Sequence, residues 1–241
     1  MSYLNILFLD IETVGIRASY DDLEDRWQKL WNRKAAYFIK NDPTVTAAEY
    51  YRDKAAIYAE FGRVVCISFG FLHGHESDLQ LKVKSIAGDD EKVVLTEFIE
   101  LLQKHYSDLP RQKLCGHNIK EFDIPYMCRR MIKHGLPLPD ALNLYGKRPW
   151  EIKHLIDTLE LWKFGDFKNY TSLDLLAAMF DIETPKDDID GSKVHTTFYD
   201  ENDLARITSY CEKDVVTTTR VYMKMMHQLE VDPENVEYVK S

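Results

Sequence analysis

The stretch Ile6-Leu7-Phe8-Leu9-Asp10-Ile11-Glu12-Thr13 decides how the rest of the chain is read. Its apolar run is unbroken, which predicts a strand covered on both faces, because a strand with one wet face alternates instead. Residues two apart in a strand share a face, so Asp10 and Glu12 lie side by side. Neighbouring carboxylates at the end of a buried strand repel each other unless a proton or a cation stands between them. The pair reads either as half of a divalent-cation site or as two acids reaching solvent at a strand end. Further oxygen ligands downstream decide between the two.

The chain has 241 residues, enough for a full hydrophobic core, and is 45% hydrophobic and 29% charged. No apolar run approaches the roughly 20 residues of a membrane span. Met1-Ser2-Tyr3-Leu4-Asn5 lacks the basic start of a signal peptide. Cys66, Cys115, Cys128 and Cys211 are scattered without a C-x-x-C pair, which points to reduced thiols and a cytoplasmic location. The net charge of −9 argues against broad duplex binding, which needs a basic face, but leaves room for a local groove.

Downstream of the first strand, residues 17–60 read as a helical insertion. Leu23, Trp27, Leu30, Trp31 and Phe38 recur at helical spacing over 21–39, Asn41-Asp42-Pro43 breaks the pattern, and Thr46-Ala47-Ala48-Glu49 is a capping box opening a second helix to about Ala59. Arg63–Leu72 and Leu79–Ile86 predict a hairpin turning at His73-Gly74-His75. Helices follow at 90–106 and from Asp123 to His134, with a short strand at Lys113–His117 between them. A strand at His154–Asp157, a helix at Ser172–Phe180, an irregular stretch through Asp190–Val194 and a long helix from Asn202 to Leu229 complete the chain. This order predicts a single α/β domain, 1–241, with a mixed sheet.

Three stretches carry the chemistry: Asp10-Ile11-Glu12, then Asn118-Ile119-Lys120-Glu121-Phe122-Asp123-Ile124-Pro125-Tyr126, then Tyr210-Cys211-Glu212-Lys213-Asp214 inside the long helix. Tyr210 and Asp214, four apart, share a helix face. Taken singly, Asp123 reads as an N-cap and Asp214 as a surface residue. In order and context, the three resemble the Exo I, Exo II and Exo III motifs of the DEDD 3′→5′ exonucleases. The tyrosine-type branch, found in the proofreading domain of family-B DNA polymerases, is the closest. The histidine branch carries His five residues before the last Asp, where this chain has Ser209, whereas Tyr210 stands four before. Asp157-Thr158-Leu159 and Asp190–Val194 extend the similarity, which runs from about residue 4 to 225.

The resemblance implies a ribonuclease-H-like fold and a metal-dependent enzyme releasing nucleoside monophosphates from single-stranded 3′ ends, DNA favoured. It implies that Asp10, Glu12, Asp123 and Asp214 hold two divalent cations, Mg2+ or Mn2+, with Asp10 bridging, and that Tyr210 orients the attacking water. Thr13, Asn118 and Phe122 become substrate contacts, with a core role for Phe122 equally open. The run Trp162–Tyr170, which includes Lys163 and Lys168, reads as a stacking platform for single strands or as a packed loop. No polymerase domain follows, so a free-standing exonuclease is the expectation. The alternatives are an RNA exonuclease with the same site, a nucleic-acid-binding module that has lost its chemistry, and an accessory acting with a polymerase or repair partner.

Overall fold

A computed structural model describes residues 3–75, 78–166, 170–184 and 189–239. Its centre is a six-stranded mixed sheet in the order β5-β4-β1-β2-β3-β6. Strands β1 (Ile6–Gly15), β2 (Gly62–His75) and β3 (Asp78–Ala87) form an antiparallel meander. On the other side of β1, β4 (Lys113–Gly116) and β5 (Leu155–Asp157) add in parallel, and β6 (Val236–Tyr238) pairs in parallel with β3. This is the ribonuclease-H-like arrangement, α/β with helices on both faces.

The unbroken apolar run of β1 follows from those two covered faces. Leu7, Leu9 and Ile11 pack with α3 (Glu91–His105) and α4 (Asp123–Lys133). Ile6 and Phe8 point the other way, into a cluster with Val215, Tyr222 and Met223 of α8 (Leu204–Met225). Period two therefore sends Asp10 and Glu12 toward α8, and the same alternation continues to Val14, which packs with Ile207 and Cys211. The β1–β2 register shifts between Glu12 and Thr13, a bulge of the kind that re-aims side chains at the end of a pairing.

The segment after β1 is helical, as its periodicity predicts. Helix α1 (Asp25–Asn41) and α2 (Ala47–Lys54) close around Trp31, whose ring meets Tyr50, Tyr51, Tyr58 and Phe61. Both halves of the Thr46/Glu49 capping box are formed. The helix ends at Lys54 and passes into a 3-10 turn, Ala55–Ile57, rather than running to Ala59. The hairpin also differs: β2 continues through His73, Gly74 and His75, and its pairing reaches His75↔Asp78. Gly74 lies at φ +97° within the strand, so the glycine that suggested a turn serves as an irregular strand position.

Three elements were hidden in the sequence: α5 (Thr158–Lys163), α7 (Val194–Tyr199) and the edge strand β6. All are three to six residues long, too short for either period to register. Between α5 and α7 lies α6 (Leu173–Met179), whose Ser172 N-cap accepts from Leu175 N–H. The last helix stops at Met225 rather than at Leu229, which lies beyond it and is exposed.

Candidate active site

Strand β1 supplies Asp10 and Glu12, the start of α4 supplies Asp123, and one face of α8 supplies Tyr210 and Asp214. Glu12 is 8% exposed and Asp123 3%. Burial pushes the Asp10 carboxyl well above its ordinary range, and the charges of Asp214 and Asp123 push it further. Glu12 is raised in the same way, by burial, then Asp10, then Asp214. Asp123 is raised to about 7, chiefly by burial, with Asp157 and Asp214 adding repulsion; its own and the Ile11 backbone N–H groups offset part of the shift. The four carboxylates expected from the three motifs thus converge, each within the electrostatic reach of others.

Tyr210 donates its hydroxyl to Asp214, one helical turn on. Burial and the negative charges of Asp214, Glu12 and Asp10 drive its pKa far above that of an ordinary phenol, so it remains protonated at neutral pH. Cys211, on the buried stripe of α8, packs its Sγ 3.3 Å from Asp10 Oδ2 and 3.4 Å from the Asp10 carbonyl. The ligand atoms of Asp10, Glu12 and Cys211 all lie within 4.8 Å of one another. Burial holds the Cys211 thiol well above its ordinary pKa, which makes it a donor to Asp10 rather than a thiolate. Nothing in the periodicity of α8 singled out Cys211, because a stripe residue beside a carboxylate and one in apolar packing look alike.

Among the expected substrate contacts, Thr13 is 7% exposed and its hydroxyl donates to the Ala56 carbonyl at 2.9 Å. Asn118 adopts a left-handed conformation, φ +61°. Its carbonyl accepts from Glu121 and Phe122 N–H. Phe122 is half-buried against the core shared by α3 and α4, its ring 5.4 Å from that of Tyr126. The aromatic run splits: Trp162 packs on Phe180 and is structural, while Phe164 is exposed. Tyr170 is 65% exposed, and its ring lies 6.2 Å from His117. After burial, the charges of Asp123, Asp157 and Asp10 raise its pKa, which sets it at the rim of the cluster. Phe167, Lys168 and Asn169 lie outside the described residues.

Two residues act as supports, a role the sequence reading did not assign them. His117 Nε2 donates to the Thr171 carbonyl at 2.9 Å, so Nδ1, 2.9 Å from Thr158 Oγ1, is its acceptor in the neutral ring. Burial lowers its pKa and keeps it neutral. Asp157, at the end of β5, accepts several backbone N–H groups.

The fold has a counterpart in the family B DNA polymerase of the hyperthermophilic archaeon Pyrobaculum calidifontis, at a TM-score of 0.57 and 17% identity over 92% of this chain. The chain spans only 24% of that polymerase's length. No curated protein gives a significant sequence match. Residues 57–240 match the family described as predicted 3′-5′ exonucleases related to the exonuclease domain of PolB. The chain belongs to this exonuclease family.

Proposed function

We propose that the chain removes nucleotides one at a time from single-stranded DNA 3′ ends at the Asp10–Glu12–Asp123–Asp214 cluster, releasing nucleoside monophosphates with the help of two divalent cations, Mg2+ or Mn2+. The convergence of these carboxylates from β1, α4 and α8 carries the reading. The donor set fits a hard divalent ion: it is made of carboxylate oxygens whose proton affinity is raised by burial first and by mutual repulsion second, both of which a cation would offset. Cations bound there supply Lewis-acid charge to activate water and to stabilise the departing 3′ oxygen.

The chain's own residues do the remaining work. Tyr210, a phenol held by Asp214, orients the attacking water and is too weak an acid to serve as its base. The Asn118 amide meets the sugar or base of the terminal nucleotide, together with the exposed edge of Phe122 and the main chain at Thr13. Tyr170 offers a stacking face at the rim. The relation to a DNA polymerase exonuclease domain favours DNA. Residues 1–241 act as one exonuclease domain in which 17–60 is an insertion.

The test is to give the protein single-stranded DNA and RNA of one sequence with Mg2+ and to identify products by mass. Nucleoside monophosphates from DNA, at a rate well above that from RNA, are the expected result. Faster digestion of RNA would reassign the substrate, and internal cleavage products would refute the exonuclease reading.

A further inference from the structure

Asp157 closes β5 and caps α5, accepting from Leu159 N–H at 3.0 Å and Glu160 N–H at 3.4 Å through Oδ1. Capping explains one oxygen and two donors. It does not explain the rest. Asn118 N–H donates to the same Oδ1 at 2.9 Å, and Lys120 N–H donates to Oδ2 at 3.1 Å. Asp157 is 4% exposed, so these donors stand in for water. Parallel pairing of Gly116 with Asp157 brings the end of β4 and the end of β5 level, so the loop leaving β4 passes directly over the carboxylate. A second tie runs alongside, between the Lys120 ammonium and Glu160 of α5.

The loop so held is 117–122, between β4 and the first residue of α4, Asp123. Its strained point is Asn118, whose left-handed φ of +61° is uncommon for a residue with a Cβ and persists only where the surroundings enforce it. Both backbone groups of Asn118 are engaged: N–H by Asp157, C=O by Glu121 and Phe122. Among the described residues no hydrogen bond engages its side-chain amide, and the half-buried residue stands five positions before Asp123.

We infer that Asp157 is a positioning residue for the exonuclease reaction: through the backbone of Asn118 and Lys120 it fixes the loop that presents the Asn118 amide to the terminal nucleotide. The inference rests on the exonuclease reading above and assigns Asp157 no contact with substrate.

Asp157→Ser separates this role from capping, because a serine hydroxyl still caps α5 but is too short to reach the loop. Amide hydrogen exchange is expected to accelerate at Asn118 and Lys120 while Leu159 and Glu160 keep their protection. In steady-state digestion of a single-stranded oligonucleotide, KM is expected to rise about 10- to 100-fold, the usual scale for an outer-shell partner, with kcat little changed and thermal stability close to wild type. Should that variant fail to fold, Asp157→Asn keeps one acceptor oxygen and exposes only Lys120 to faster exchange. Unchanged exchange at Asn118 and Lys120, or a KM equal to wild type in an active variant, would overturn the inference. A wild-type protein inert on nucleic acid would refute the exonuclease reading instead, and the exchange measurement would still decide whether Asp157 holds the loop.

Discussion

At Asp10, Glu12 and Asp123 the protein concentrates negative charge where burial makes it most costly. Without cations the native state retains protons that the unfolded chain has lost. Stability then falls as pH rises from the ordinary carboxylate range through about 7, the raised value of Asp123. Below that window both states are protonated and the penalty vanishes. Thermal melts in EDTA should show this fall, and Asp123→Asn should flatten it. Mn2+ should raise the melting temperature more at about pH 8 than at about pH 5, because it replaces the protons. Tyr210 makes a separate prediction: Tyr210→Phe removes the hydroxyl but keeps the ring, so turnover should drop about a hundredfold while cation and oligonucleotide affinities stay near wild type. Full activity in that variant would remove Tyr210 from the chemistry.

The elements meet at a few buried polar joints. Glu91, at the start of α3, accepts from Val64 N–H of β2, from Arg130 of α4 through two nitrogens, and from His134. Burial alone would raise the Glu91 pKa, but the Arg130 hydrogen bonds and charge outweigh it and hold the carboxyl below its ordinary value. Arg130 also donates to the Ala59 carbonyl at 2.8 Å, tying α4 to the end of the insertion. Replacing Arg130 by Met leaves Glu91 buried without its ion-pair partner and with two of its four hydrogen bonds gone, and should cost about 3–5 kcal/mol in denaturant unfolding. Gly116 is a second joint: a Cβ there would stand 2.8 Å from Ile119 Cβ and 3.0 Å from the Leu9 carbonyl. Elements of this kind show how far the sequence could be read. Strand β1, the capping box of α2 and the long helix α8 were legible because strong periodicity and local hydrogen bonding define them. The three motifs pointed to the four carboxylates that the fold then brings together. Asp157 and His117 were not legible as supports, because each depends on a backbone group far off in sequence, Lys120 N–H 37 residues from Asp157 and the Thr171 carbonyl 54 from His117. A sequence names side chains, and hydrogen bonds to distant backbone have no residue-type signature.

Across the whole molecule, the sheet buries β1 between α3/α4 and α8, while the insertion gathers its own smaller core around Trp31, Tyr51 and Phe61. Thr13 and Tyr126 both donate to the Ala56 carbonyl, and Arg17 N–H donates to Tyr51, so that smaller core is stitched to β1 and α4. One cooperative calorimetric transition is therefore expected for the full chain; two separated transitions would make the insertion an independent unit. Among the described residues no helix is long and apolar enough to cross a membrane. A net charge of −9 denies the molecule long-range attraction to nucleic acid, so the proposed binding would rest on contacts around the cluster. Removal of nucleotides from 3′ ends by the converging carboxylates with divalent cations, as proposed, can be watched directly. The most direct measurement follows 5′-labelled single-stranded DNA in Mn2+ or EDTA, with wild type beside Asp10→Asn. A ladder shortening from the 3′ end is expected in Mn2+ with wild type alone, and intact DNA in the other arms. Shortening that persists in EDTA, or that Asp10→Asn carries out at the wild-type rate, would contradict metal-dependent cleavage at this cluster.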